Sequence, residues 1–324
     1  MTSHTRALRR RILTPNISET RLDVRGFHVK NPASRELLET IGQTFLAGYA
    51  FAVEAERHDD AVHRLEGIPN RFRGFAYEGA TMGFAVLDAL PFGGSTNVSR
   101  FLAGAADKHV YMAYVGIGWA MARVPRFRFR RLALPDPLLR WLALDGYGFH
   151  QAYFKTDRYV RAHYQEPAFP WPAGGPRSYV NRAIDQGIGR ALWFVCGTAA
   201  DRVADTIDGF PEHRRADLWS GAGLAATYAG GADEDELRSF LRRAGRYRPQ
   251  VAQGSAFAAA ARVRAGLVVP HVTTGTAVLC GMTPAEASAL TDQRRPEGPD
   301  GDQLPAYELW RQRVANDLVA IGRN

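Results

Sequence analysis

The stretch DGYGFHQAYF, residues 145–154, concentrates groups suited to acid–base chemistry on an apolar molecule. It holds one carboxylate, one imidazole and four rings, namely Asp145, His150, Tyr147, Phe149, Tyr153 and Phe154. Helical spacing places Asp145, Phe149 and Tyr153 near one face, with His150 and Phe154 beside them. Burial would raise the pKa of Asp145 and make it an acid, while His150 would accept a proton. The alternative is that the rings fill the core and Asp145 caps the helix.

A second acidic candidate is Glu78, within the small-residue stretch FRGFAYEGATMG (72–83). An acidic residue on a helix of small residues is either exposed or functional. Its neighbour Tyr77, together with Trp193 and Trp219, completes the set of rings expected to bind an apolar ligand. By contrast, we expect Asp185 in DQGIGRALWF (185–194) to pair with Arg190 and to be structural.

Composition bounds the class of protein and its partners. The chain has 324 residues, 46% of them hydrophobic and 23% charged, which indicates a folded globular protein. Its net charge of +8 favours an acidic partner such as a phosphate or an anionic membrane surface, although a GC-rich genome would also enrich arginine. Cys196 and Cys280 lie in apolar runs without metal spacing, which predicts buried thiols in a reducing compartment. With neither a transmembrane span nor a signal core, we expect a cytoplasmic protein, with peripheral contact to a membrane as the alternative.

Self-comparison predicts an internal duplication. At an offset of 142 residues, PNRFRGFAYEGATMG (69–83) aligns with PEHRRADLWSGAGLA (211–225), and Glu78 falls on Ser220. We therefore predict a mainly α-helical fold of two related halves around a pseudo-twofold axis, with a few strand residues in 266–283 at most. The predicted segments are a basic N-terminal arm, the two halves, and a Pro/Gly loop with a C-terminal helix, with bounds 1–25, 26–165, 168–292 and 293–324.

Apolar periodicity predicts paired helices in the two halves. They are 35–55 with 177–197, 58–68 with 199–210, 77–90 with 219–231, and 111–124 with 250–263. Glycine inside such helices usually permits close approach between backbones. At a weaker third alignment, DGYGFHQAYF falls on Thr and Ala residues, so one site between unequal halves is expected.

Strong catalytic signatures are absent: there is no HExxH, CxxC, phosphate-binding loop or GxSxG. The group His58, Asp59, Asp60 and His63 could hold a divalent metal, but a solvated capping turn is the preferred interpretation. RFRFRR (126–131) alternates base and ring, which favours an edge strand or a solvated loop over nucleic-acid binding. We expect no nucleic-acid partner, no metal and no cofactor.

Four blocks of the chain resemble a known family. FRGFAYEGATMG (72–83), DGYGFHQAYF (145–154), DQGIGRALWF (185–194) and DLWSGAGLAATYAGG (217–231) are similar to bacterial proteins of domain-of-unknown-function family 1702. The resemblance extends from about residue 15 to 320. The resemblance identifies no catalytic residues. It implies that the gene belongs to a secondary-metabolite cluster of the enediyne or polyene type, in which such genes often lie beside genes for multi-pass membrane proteins.

These observations lead to two functional hypotheses from different classes. In the first, the protein is a cofactor-independent cyclase or isomerase of a hydrophobic polyene, polyketide or isoprenoid. Asp145 or Glu78 would supply a proton, His150 would accept one, and the rings would shape the chain and stabilise a developing cation. In the second, it is a non-catalytic partner that binds a lipophilic intermediate, or docks on an anionic membrane or a membrane-embedded biosynthetic enzyme.

Overall fold

The computed structural model of the chain describes residues 14–91 and 96–321, and every regular element in them is helical, which confirms the predicted α class. The helices up to residue 154 are α1 (Pro32–Glu54), α2 (His58–Glu66), α3 (Asn70–Ala89), α4 (Asn97–Leu102), α5 (Val110–Met121) and α6 (Trp141–Phe154). Those that follow are α7 (Val180–Val195), α8 (Ala200–Asp208), α9 (Glu212–Ala229), α10 (Glu234–Arg243), α11 (Arg248–Arg264), α12 (Pro270–Cys280), α13 (Pro284–Gln293) and α14 (Ala306–Ile321). In this described part, no helix combines the length and apolar character that crossing a membrane demands.

The long helices form a series in which each packs against the next. The order of neighbours is α1, α3, α5, α6, α7, α9 and α11, after which α11 contacts α12, α13 and α14. The short helices α2 and α8 pack at corresponding places, against α1 and α7. This order of neighbours agrees with two similar halves, but the duplication itself and its domain boundaries stay predictions.

Close approach of backbones explains the small residues inside these helices. At the contact of α6 with α7, a Cβ atom on Gly148 would overlap the Ile184 carbonyl, and one on Gly187 would overlap the Asp145 carbonyl. Any larger residue would force the two helices apart. Glycine thus sets how closely α6 and α7 approach each other.

Two local predictions were wrong. Residues 270–280 form helix α12 and no strand, because Pro270 begins a helix and Gly281, with φ 68°, ends it. The β-branched residues are accommodated, since the Thr276 hydroxyl donates to the Val272 carbonyl one turn back at 3.0 Å. RFRFRR is a 3-10 helix, Arg126–Arg131, so the edge-strand alternative was wrong, whereas the exposure of most of its side chains agrees with the solvated alternative.

The two ends of the described chain pack on the helical series. Residues 1–13 of the predicted basic arm lie outside the described residues; the remainder forms a 3-10 turn, Ile17–Thr20, and a helical turn, Leu22–Arg25. At the other end, α14 is held by Arg311, whose guanidinium donates to Asp217 at 2.7 Å within the core.

Candidate functional site

An apolar cavity lies between the N-terminal segment and helices α1, α3, α5, α6 and α7. Its internal volume is about 60 Å³, and about 690 Å³ lies between its walls when the solvent-filled open end is counted. The aliphatic and aromatic residues that line it include Ile41, Phe45, Phe75, Met82, Phe149 and Phe194. Its apolar and aromatic lining is typical of sites for lipophilic small molecules. We call this space the aromatic cavity.

Aromatic rings around Trp119 form one wall of the aromatic cavity. The Trp119 ring lies 4.4 Å from Phe45 and 5.2 Å from Phe149, centroid to centroid. Phe149 in turn meets Phe194 edge to face at 5.1 Å. Such a wall offers π faces to a bound chain and attracts positive charge that develops on it.

Glu78 supplies a carboxyl group to the inner wall of this cavity. The residue is 3% exposed and lies in the middle of α3, where Gly116 of α5 packs on its backbone carbonyl. Burial raises the pKa of Glu78 to about 7; the nearby charge of Arg190 opposes this rise and that of Asp145 adds to it. A carboxylic acid with this pKa can give or take a proton at neutral pH.

The Arg190 guanidinium pairs with Asp145 and not with Glu78. Arg190 on α7 donates to the Asp145 carboxylate on α6, and its guanidinium also lies 5.3 Å from the Phe149 ring centre. Burial raises the pKa of Asp145 as well, although the adjacent Arg190 counteracts that effect. With Glu78 protonated the three groups are together neutral, which is the state that an apolar interior favours.

His150 and Trp119 bring buried polar atoms to the cavity wall. Neither ring nitrogen of His150, nor the indole nitrogen of Trp119, has a partner with good hydrogen-bond geometry among the described residues, although Gln151 lies close enough to raise the pKa of His150 and Trp119 close enough to lower that of Glu78. Burial, aided by nearby cations, lowers the pKa of His150 to about 3, so the imidazole is neutral. Buried nitrogen atoms without a partner also occur away from the cavity, as in Trp219 and His109, so those of His150 and Trp119 support a ligand site only together with the cavity they line. The low basicity argues against the predicted role of His150 as proton acceptor.

A second cavity lies on the other side of the Arg190–Asp145 pair. Its internal volume is about 40 Å³, it lies between α5, α11, α14 and their neighbours, and both members of the ion pair line it. Its ring residues are Tyr111, Tyr228, Phe257, Tyr307 and Trp310. Arg190 therefore borders both cavities, whereas Glu78 lines only the aromatic cavity.

The structure brings some of the predicted site residues together and separates others. Glu78, His150, Phe149, Tyr153 and Phe154 line the aromatic cavity, with Asp145 one ion pair behind them. Four predicted ligand-binding rings lie elsewhere in the core: Tyr77, Tyr147, Trp193 and Trp219.

The contacts of these four rings are structural. The Tyr77 hydroxyl donates to Glu66 at 2.6 Å. The Tyr147 hydroxyl donates to the Glu166 carboxylate at 3.2 Å. The Trp193 indole donates to the Gly230 carbonyl at 2.9 Å, and Trp219 packs on Phe240 at 5.0 Å. None of the four lines either cavity.

Sequence reasoning missed Trp119 and assigned Arg190 to the wrong partner. Asp185 pairs with Arg214 at 2.6 Å, leaving Arg190 to Asp145. Five residues along a helix correspond to a rotation of about 140°, so Asp185 and Arg190 point to different sides of α7. The unusual arginine within an apolar helix was the signal that could have identified a buried charge site.

The four residues considered as a metal site, His58, Asp59, Asp60 and His63, lie at the beginning of helix α2, where a capping turn was the preferred interpretation. Asp60 accepts a hydrogen bond from the Arg57 backbone N–H at 2.9 Å, which caps α2, and the His58 ring packs 4.7 Å from Phe84. Within residues 14–91 and 96–321, no three His, Cys, Asp or Glu side chains converge as the ligands of a metal ion would.

The fold and the site together define an all-α protein with an aromatic internal cavity that ends at a buried carboxylic acid. The chain belongs to the family described as Protein of unknown function (DUF1702), whose profile it matches over residues 4–318. The predicted family is thereby confirmed. No curated protein and no solved structure matched the chain in the corresponding comparisons.

Proposed function

We propose that this protein is an acid–base cyclase or isomerase of natural-product biosynthesis that acts on a hydrophobic polyene, polyketide or isoprenoid in the aromatic cavity. The observation that carries the proposal is Glu78, a carboxylic acid with a pKa of about 7 in an otherwise apolar, aromatic wall. Such an acid is protonated often enough at neutral pH to donate, and the carboxylate it leaves is basic enough to take the proton back.

The pKa of Glu78 restricts the class of substrate that it can protonate. An acid with a pKa near 7 is too weak to protonate an isolated alkene, so the reacting group is a polyene conjugated to a carbonyl or an enol. The Glu78 proton forms a new O–H or C–H bond with an electron pair of the substrate, and the bond to the Glu78 oxygen breaks. Arg190 lies close enough to stabilise the carboxylate that remains, and Trp119 and Phe149 flank the positive charge on the substrate.

Deuterium incorporation tests the proposal. In D₂O, the protein should isomerise farnesal or retinal, and wherever Glu78 protonates carbon the product should retain deuterium there, as mass spectrometry would detect. We expect Glu78→Gln to lower this rate by at least about 100-fold, since general acid–base catalysis typically contributes that much. The matched control is Glu36→Gln, on the exposed surface of α1, which should keep the wild-type rate. Equal rates for wild type and Glu78→Gln would contradict the assignment.

A second candidate, a non-catalytic binding partner, is supported by two observations. The neutral His150 leaves the cavity without a strong base. On the surface, Phe127 is 75% exposed within the arginine-rich turn Arg126–Arg131, a combination suited to an anionic membrane or a membrane-embedded enzyme. Saturable binding of farnesal and retinal, without any turnover, would favour this candidate over the enzyme.

A further inference from the structure

We propose that the ligand of the aromatic cavity is amphipathic, with an anionic group at one end that binds at the cavity's open end beside Arg123 and Lys155. This inference rests on the proposed function, because it requires an apolar ligand in that cavity. It adds the chemical class of the ligand's polar end, a carboxylate or a phosphate, and the direction in which the ligand binds.

The open end is where exposed residues contribute to the lining. Pro15, Glu19, Leu46 and Phe154 are partly exposed and Arg123 is exposed, whereas the inner lining around Glu78 is buried. A ligand therefore enters past Arg123 with its apolar part directed inward. Its polar end stays at the surface, where hydration offsets the cost of its charge.

Two cations at this end have no internal partner. Among the described residues, no carboxylate lies within ion-pair distance of Arg123 or of Lys155, the exposed residue that follows Phe154. Their charge acts on the cavity, because it lowers the pKa of His150 beyond the larger effect of burial. Arg25 adds to the same effect.

The nearby carboxylates are already neutralised. Glu19 accepts from Arg25 at 2.8 Å, and the Arg25 guanidinium is further held by the carbonyls of Tyr153 and Phe154. Glu39, which also acts on Tyr153, accepts from Arg35 at 3.0 Å. Arg123, which lines the opening, and the exposed Lys155, whose charge reaches His150, remain uncompensated, and together they favour an anion.

This polarity sets which part of the ligand reacts. With its anionic end beside Arg123, a chain that fills the cavity places its opposite end near Glu78. The reacting carbonyl or enol is then remote from the anionic group, and the anion serves to bind and orient the ligand.

Matched probes with one chain and different ends test the inference. Fluorescence titrations would compare cis-parinaryl alcohol, cis-parinaric acid and cis-parinaryl monophosphate on the full chain. We expect both anions to bind about tenfold more tightly than the alcohol at low ionic strength, and this preference to shrink in high salt. The carboxylate and phosphate arms show which anion the site prefers.

The test variant is Arg123→Gln/Lys155→Gln, and the control is Arg242→Gln/Arg313→Gln. The control removes the same net charge from exposed positions that do not line the aromatic cavity. We expect the test variant to lose the anion preference yet bind the alcohol like wild type, while the control keeps the preference. Equal binding of acid and alcohol by wild type would overturn the anion inference alone, as would an unchanged preference in the test variant. Failure of the alcohol to bind would overturn the proposed ligand cavity as well.

Discussion

Replacement of Gly187 by valine is expected to destabilise the protein by more than about 3 kcal/mol, or to prevent folding. A Cβ atom at this position would overlap the Asp145 carbonyl and crowd the Phe149 backbone nitrogen, both on α6. Backbone atoms within a packed helix cannot move aside as a flexible side chain can. The two helices would have to separate, which would open the core between α6 and α7. Urea denaturation followed by circular dichroism measures the effect.

The control for this substitution is Gly67→Ala. Gly67 is exposed, has φ −73°, and a Cβ atom there would meet only the Arg64 carbonyl oxygen at 3.5 Å, an ordinary contact. We expect a change within about 0.5 kcal/mol of wild type. Similar stabilities of Gly187→Val and Gly67→Ala would show that α6 and α7 do not pack as described.

Replacement of Arg190 by methionine is expected to cost about 3–5 kcal/mol at neutral pH, because it leaves the buried Asp145 carboxylate without its partner. Both Asp145 and Glu78 would then have higher pKa values, since Arg190 opposes the rise in each. The folded variant would retain protons that the unfolded chain releases, so its stability should fall as pH rises above the ordinary carboxyl range. Denaturation at several pH values tests both the size and the sign.

Two further variants show whether the loss arises from the buried charge. Arg190→Met/Asp145→Leu removes both charges and should recover most of the stability, because apolar residues of similar volume often replace a buried pair without loss. Arg243→Met removes a guanidinium that pairs with Asp205 at 2.6 Å on the surface, and should cost at most about 1 kcal/mol. If the loss of stability in Arg190→Met did not depend on pH, or if the double variant recovered no stability, the loss would not arise from the unpaired Asp145 charge.

The helices were predictable because their signals are local. The periodicity of α1 and the Gly-x-Pro stop after α2 lie within short windows of sequence. The strand prediction over 266–283 was wrong because β-branched composition is a weaker signal than Pro270 and Gly281 at the ends of α12. The 3-10 turn at RFRFRR has no periodic signal by which a sequence could reveal it.

The candidate site was only partly predictable because it is a tertiary arrangement. Glu78 was identifiable as an acid among small residues, and His150 as an imidazole among rings. By contrast, Trp119 lines the cavity from α5, and Arg190 on α7 pairs with Asp145 on α6. These residues are far apart in the sequence, so no short sequence pattern predicts that they meet. The sequence analysis predicted that Tyr77, Tyr147, Trp193 and Trp219 bind the ligand, but these rings lie in the core. Burial preferences alone cannot distinguish rings that line a cavity from rings that fill the core.

The most direct test of the account is the protonation state of Glu78 at the wall of the aromatic cavity. Infrared difference spectra of wild type minus Glu78→Gln isolate the carbonyl stretch of this one carboxylic acid. We predict that the band titrates with a midpoint of about 7 and shifts when cis-parinaryl alcohol occupies the cavity. A midpoint at the ordinary glutamate value of 4.5, with no response to the probe, would contradict it.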